Sequence, residues 1–334
     1  MAREMAEQPA RLRALLSRFD QIAKRVRAVA PSPLRGITLV ARGSSDHAAV
    51  FGRYLLEAAT GHSISLAAPS LHTLYGIEVN YSGQLVIAVS QSGATPEIVR
   101  TLEVLQAAGG RGLAITNDPA SELAHAAHEV IELGVGEERA VPATKTVTAQ
   151  FIAFALIAAA LGRVPFDRRE LELVPDWTRA VLDDPEPAAA AAARLGDTTQ
   201  LIVVARGYLY AAALETALKV KETSSLLADG YSAADLRHGP IAAVTRGFPI
   251  VALRAFGPAF DDVSLLVDEL RARGARVLII GSDEHADVSL PSRVPDPLTP
   301  IVAVVRGQQL AHALAIRLRH DPDSPERLTK VTAT

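Results

Sequence analysis

The stretch ITLVARGSSDHAAVFGRYLLEAATG, residues 37–61, decides the fold. It opens on an apolar run closed by Arg42-Gly43, the mark of a strand buried on both faces. From Ser44 the apolar positions fall at helical spacing and stop at Gly61, a helix-ending residue. A buried strand, a tight turn and a helix make one βα unit. The pattern recurs outward from it. LVIAVSQSG (85–93) precedes the helix ATPEIVRTLEVLQAAGG, and GLAITND (112–118) precedes ASELAHAA. HEVIELG (128–134) is followed, after a loop, by the apolar helix TVTAQFIAFALIAAALG. Alternation at this spacing predicts an open parallel sheet with helices on its faces.

The same pattern then returns. LIVVARG (201–207) matches ITLVARG (37–43), a displacement of 207 minus 43, or 164. GFPIVALRAFG (247–257) lies over GQLVIAVSQSG (83–93), and ARVLIIGSD (275–283) over RGLAITNDP (111–119), both again at 164. DVSLP (287–291) over EVIEL (129–133) continues the match at 158. A constant offset through three strands reads as a duplicated α/β domain. The expected organisation is an N-terminal helical segment (1–30), a first domain (31–165), a structured linker (166–195) and a second domain (196–334). Residues 3–29 read as one leading helix packing across the domains. ALETALKVKETSSLLADGYSAADLRHGP (213–240) reads as a helix running into an irregular loop.

Composition narrows the function classes. The chain has 334 residues, 49% of them hydrophobic and 21% charged, enough for two domains with ordinary cores. With 34 Lys+Arg against 37 Asp+Glu, the charge of -3 argues against a nucleic-acid or anionic-membrane partner. Zero cysteines remove disulfides, thiolate metal sites and a cysteine nucleophile. No secretory signal is visible, and the longest apolar run, 151–161, is too short for a bilayer. The expectation is a cytoplasmic protein.

In a doubly wound sheet, ligands bind outside the carboxyl ends of the strands. Three loops there carry candidate groups: Gly43, Ser44, Ser45 and Asp46; Ser90, Gln91, Ser92, Gly93 and Thr95; and Val141 to Lys145. Hydroxyls, glycines and backbone N–H groups at helix starts form a phosphate cradle, although such residues also simply cap helices. Thr95 reads as an N-cap with Pro96 at the first helical position. The equivalent loop of the second half is Arg254-Ala255-Phe256-Gly257, so only the first half keeps the cradle. No dinucleotide fingerprint or Walker loop is present. Lys219 and Glu222 share a helix face, and on spacing alone they read as a solvated salt bridge. His238, before Gly239-Pro240, sits in a turn suited to presenting an imidazole into a cleft. Lys330 alone reads as a tail lysine.

Taken in order, GSSDHA (43–48), SQSGATPE (90–97), ERAVPATKTVTAQ (138–150), LKVKE (218–222), DLRHGP (235–240) and LTKVT (328–332) strongly resemble the sugar isomerase (SIS) family. Within it they resemble the isomerase half of glucosamine-6-phosphate synthases and the glucosamine-6-phosphate deaminases. The opening REMAEQPARL (3–12) looks like the start of that module. The resemblance implies two tandem flavodoxin-like domains, each a parallel sheet flanked by helices, sharing one active site in a homodimer. It implies an amino-sugar phosphate substrate and no cofactor or metal. By resemblance, Ser45, Ser90, Gln91, Ser92 and Thr95, with Ser44 beside them, hold the phosphate, and Val141 holds sugar hydroxyls through its backbone. Glu222 matches the base that moves a proton between C1 and C2, and Lys219 matches a charged group beside it. His238 matches the ring-opening histidine, contributed by the neighbouring subunit, and Lys330 the lysine that reaches the sugar carbonyl. His47, His72 and His312 are assigned structural roles.

The synthases carry a cysteine-dependent glutaminase domain that this chain is expected to lack; by the resemblance, Ala143 stands where they typically have a serine, and Pro142 is also unusual in that loop. The implied activity is therefore a deaminase, converting glucosamine 6-phosphate to fructose 6-phosphate and ammonia. An isomerase or deglycase acting on another amino- or glycated-amine sugar phosphate is the alternative. A non-catalytic sugar-phosphate sensor is a second alternative, needing the cradle but not Glu222, His238 and Lys330 together.

Overall fold

The computed structural model describes residues 1–326 and 328–330. The motif residues Val331 and Thr332 lie outside the described residues. The chain divides into two compact units. One, the first-sheet unit, comprises 10–138, 145–165 and the tail from 329; the other, the second-sheet unit, comprises 1–9, 139–144 and 166–328.

The chain begins with α1 (Ala2–Leu16) and α2 (Phe19–Val29), two helices where one was expected. They part at Ser17, whose hydroxyl bonds back to the Ala14 carbonyl at 2.8 Å and competes with the helical ladder. The first-sheet unit continues with β1 (Gly36–Val40), α3 (Ser44–Thr60), β2 (Ile64–Leu66), α4 (Pro69–Thr73), β3 (Gln84–Val89), α5 (Pro96–Ala107), β4 (Arg111–Thr116), α6 (Glu122–Ala126), β5 (Glu129–Glu132) and α7 (Lys145–Leu161). All strand pairs are parallel, in the order β2-β1-β3-β4-β5. Residues 37–61 supply β1 and α3, and Gly61 ends α3 at φ 69°. Helix α7 is buried almost all round, which explains its lack of a polar face. Phe51 of α3 stacks on Phe151 of α7 at 4.7 Å. A Cβ at Gly52 would strike Phe154, so the glycine is what lets the two helices approach. Among the described residues no helix is long and apolar enough to cross a membrane.

The second-sheet unit contains α8 (Arg168–Leu182), α9 (Glu186–Leu195), β6 (Gln200–Ala205), α10 (Tyr210–Ser224), β7 (Leu227–Ser232), α11 (Ala233–Arg237), β8 (Pro249–Arg254), α12 (Phe260–Ala272), β9 (Arg276–Gly281), β10 (Val288–Ser289) and α13 (Thr299–Arg317). Its strands run β7-β6-β8-β9-β10, all parallel, which repeats the first order strand for strand. The duplication seen in the sequence is thus a duplicated topology. Both sheets reverse their winding order between the first and third strands, and that is where a ligand crevice forms.

The irregular loop expected between the helix and His238 is an edge strand, β7, and a short helix, α11. LADGYS escaped notice because an edge strand is only half covered and needs no continuous apolar run. Residues 166–195 form α8 and α9, packed on α13 within the second-sheet unit. Arg306 and Gln309 of α13 fasten them, each donating to the Val181 carbonyl at 3.2 and 3.0 Å.

Candidate active site

The cradle residues lie where topology predicts. β1 and β3 are hydrogen-bonded neighbours, so the loops after them emerge side by side. The first turns back at Gly43 (φ 59°), and α3 starts at Ser44. The buried Ser45 hydroxyl accepts from the Gln150 side-chain amide of α7 at 3.0 Å. The second loop, Ser90 to Thr95, is held by its own hydroxyls. Ser90 Oγ accepts from the Gly93 N–H at 3.2 Å and lies 3.3 Å from Thr95 Oγ1, while Ser92 Oγ accepts from the Ala94 N–H at 3.3 Å. The Gln91 carbonyl accepts from the Asn117 N–H at 3.0 Å, anchoring the loop to the end of β4. Thr95 occupies the N-cap position of α5 with Pro96 after it, but its side chain makes no capping bond. An ion pair at 2.9 Å from Arg42 to Glu97 joins the first loop to the first turn of α5.

Two consequences are measurable. Gly93 has φ 63°, and a Cβ there would strike the Ser121 hydroxyl, which cannot withdraw because it caps α6 by accepting from the Ala124 N–H. Gly93→Ala is expected to cost at least about 1–3 kcal/mol in urea unfolding and to weaken phosphate binding. An unchanged variant would mean that the loop does not need this conformation. Asp46, in the first turn of α3, has its carboxyl pushed above the usual aspartate range by burial, against the opposing pull of His47 and Arg42. A carboxyl raised on folding adds stability below its unfolded pKa and loses that contribution as pH rises through its folded value. Asp46→Asn should therefore melt above the wild type at neutral pH and lose that advantage in acid. Melting curves across that range check the sign.

The second sheet shows why it has no cradle. Arg254 stands where Ser90 stands in the first half, and it is buried. It grips Asp283 with two nitrogens at 2.7 and 3.2 Å, donates to Ser264 Oγ at 3.0 Å and lies 4.8 Å from the Phe260 ring centre. An internal carboxylate thus occupies the guanidinium.

The second-sheet unit instead carries a charge row on α10. Lys219 is not a solvated partner, as its spacing implied; it is completely buried. Its ammonium pairs with Glu222, whose side chain is 23% exposed, and lies 3.4 Å from the buried Glu215. Positions 215, 219 and 222 share one helix face, so the ammonium has carboxylates on both sides. Sequence reasoning missed Glu215, although its place four residues before Lys219 was the available signal. Helix α10 is held closely to α13: a Cβ at Gly307 would strike Thr216, and Thr223 Oγ1 donates to the Ala311 carbonyl at 3.2 Å.

Val141 belongs to the segment 139–144 of this same unit. Its N–H donates to the Asp323 carbonyl at 2.9 Å, so its own carbonyl is the backbone group left for a ligand. The segment is fixed by Glu4, which accepts from the Arg139 and Ala140 N–H groups. It is fixed also by Gln308, which donates to the Thr144 carbonyl at 3.2 Å and accepts from Gln8 at 2.9 Å. The opening residues 3–12 therefore have a physical role: Glu4 and Gln8, one turn apart on α1, shape the loop.

His238 ends α11, with Gly239 at φ 132° after it. The turn is as expected, but the residue is exposed rather than lining a cleft of its own unit. Lys330, in the first-sheet unit, is no free tail lysine: its ammonium lies 3.3 Å from the buried Glu138 carboxylate. His72 is buried and sits 3.0 Å from the Ile77 carbonyl, a structural arrangement. Burial lowers His312 below the usual histidine range, with the N-terminal ammonium adding to the effect and Asp323 opposing it.

Comparison with known proteins agrees with this layout. The SIS domain model matches residues 34–160 and 195–292. The glutamine–fructose-6-phosphate aminotransferase (isomerizing) of Methanothermobacter thermautotrophicus is 35% identical over 340 residues, covering 99% of this chain and 56% of that protein. The protein of the same name from Pyrococcus horikoshii is 31% identical, over 88% of this chain and 51% of its own. The chain thus spans little more than half the length of these relatives. Among solved structures, a protein provisionally named as a phosphosugar isomerase, from Silicibacter pomeroyi DSS-3, matches with a TM-score of 0.88 at 30% identity, over 97% of this chain and 99% of that one. The C-terminal domain of the glucosamine-fructose-6-phosphate aminotransferase of Francisella tularensis matches with a TM-score of 0.87 at 25% identity, over 96% and 97%. The chain belongs to the SIS-domain family and carries two SIS modules, one on each parallel sheet.

Proposed function

We propose that this chain is an amino-sugar phosphate isomerase of deaminase type, converting glucosamine 6-phosphate and water to fructose 6-phosphate and ammonia. The observation that carries this reading is the Glu222 carboxylate held by the wholly buried Lys219 ammonium, a base with a fixed position and a cation beside it. A bare sensor of sugar phosphates needs neither. The names of the aminotransferase relatives supply the substrate class, a hexose 6-phosphate and its amino counterpart.

The roles divide by unit. The hydroxyls and helix starts around Ser44, Ser45, Ser90, Gln91, Ser92 and Thr95 receive the phosphate. The Val141 carbonyl accepts from a sugar hydroxyl. His238 assists ring opening; its exposure suits service to a second copy of the chain in a homodimer. Glu222 takes the proton from C2 of the open aldehyde and returns it to C1, which leaves an imine at C2. Water adds there, and ammonia departs with its electron pair as the ketone forms. Lys219 and Lys330 stabilise negative charge developing on the sugar oxygen, and orientation by the phosphate lowers the barrier further.

The test is incubation with glucosamine 6-phosphate and assay of both ammonia and fructose 6-phosphate. Equal amounts of the two are expected. Absence of ammonia would sink this assignment. Ala143, which replaces a hydroxyl residue in the sugar loop, favours one further arm in that assay, an N-substituted amino-sugar phosphate.

A further inference from the structure

Glu138 has no role in the chemistry above, yet it is a fully shielded carboxylate, its side chain 0% exposed. One oxygen accepts from the Thr146 N–H at 3.2 Å; the other accepts from the Thr146 hydroxyl and from the Lys330 ammonium at 3.3 Å. Beside it Lys145, also buried, donates its ammonium to the Glu137 carbonyl at 2.6 Å. The first turn of α7 and Lys330, 192 residues beyond Glu138 in sequence, thus meet on one carboxylate.

We infer that Glu138 is the positioning residue for Lys330. A buried carboxylate is tolerated only when paired and hydrogen-bonded, and here the tail supplies a positive charge. The benefit runs the other way as well. Lys330 lies in no helix or strand, and ordering it at the moment of reaction would cost conformational entropy. An amine already tethered to a rigid helix start is ordered before the sugar arrives. The inference rests on the proposed catalytic role of Lys330 for its purpose, but not for the pairing itself.

The experiment follows acetylation of individual lysines in the full chain by peptide mass spectrometry, alongside steady-state kinetics. In the wild type, Lys330 should be acetylated several-fold more slowly than the exposed Lys24. Glu138→Gln should speed labelling of Lys330 several-fold and lower kcat about tenfold or more, with KM for the sugar phosphate little changed because the cradle is untouched. Thr146→Val, which removes the hydroxyl but keeps the ion pair, should label Lys330 at the wild-type rate. Equal labelling of Lys330 and Lys24 in the wild type overturns the inference, even if Glu138→Gln fails to fold. Slow labelling of Lys330 combined with full activity of Lys330→Met leaves the pairing in place and removes its catalytic purpose.

Discussion

Glu222→Gln should lower kcat for glucosamine 6-phosphate by about 10²–10⁴-fold, the range expected for loss of a general base. The substitution preserves shape and leaves the amide oxygen beside Lys219, so the fold should survive. An amide cannot take the C2 proton at neutral pH, and the one step that needs a carboxylate stops. Binding should change little, because the proposed phosphate site is the hydroxyl loops of the first-sheet unit rather than α10. The informative comparison is therefore kcat against binding of the sugar phosphate to the same variant, measured calorimetrically. Loss of turnover with retained binding marks Glu222 as the base. A fully active variant would show that another group moves the proton. A chain without turnover in either form would favour the sensor reading.

Lys219→Met should have the largest effect on stability. Lys219 and Glu215 each have side chains 1% exposed, and the ammonium is the positive partner of both Glu215 and Glu222. Methionine fills similar space but leaves the buried Glu215 carboxylate without that charge. Removing one partner of a buried pair typically costs about 3–5 kcal/mol, because the desolvation of the survivor is no longer offset. Urea unfolding should show a loss of that order, together with loss of turnover. The double variant Glu215→Gln/Lys219→Met should recover much of the stability, since the buried Glu215 charge is removed along with its partner. It should recover none of the activity. A single variant within about 0.5 kcal/mol of the wild type would show that the row is solvated after all.

These expectations show where sequence legibility ends. The cradle was readable because it is local: SQSG and GSSD each stand directly behind an apolar run, and parallel pairing of the two runs brings the loops together. The row on α10 was only half readable. Spacing of three and four residues places 215, 219 and 222 on one face, but whether that face meets water or α13 depends on packing nearly a hundred residues away. The same spacing describes a surface ion pair and a buried one. Glu138 and Glu4 were invisible as functional groups, because their partners, Lys330 and the 139–140 backbone, are distant in sequence.

By itself the sequence determined the duplicated strand–helix order, the two sheets it builds and the loops that carry hydroxyls, because all of these follow from hydrophobic period and turn chemistry within a few tens of residues. It also determined that the second half could not repeat the first cradle, since Arg254 replaces Ser90. Only the tertiary structure decided which charges are buried. It turned Lys219 from a surface lysine into the centre of an ionic row, set Arg254 against Asp283, made an edge strand of LADGYS and tied Lys330 to Glu138. Burial and long-range pairing depend on what the rest of the chain places against a residue, and no local pattern encodes that.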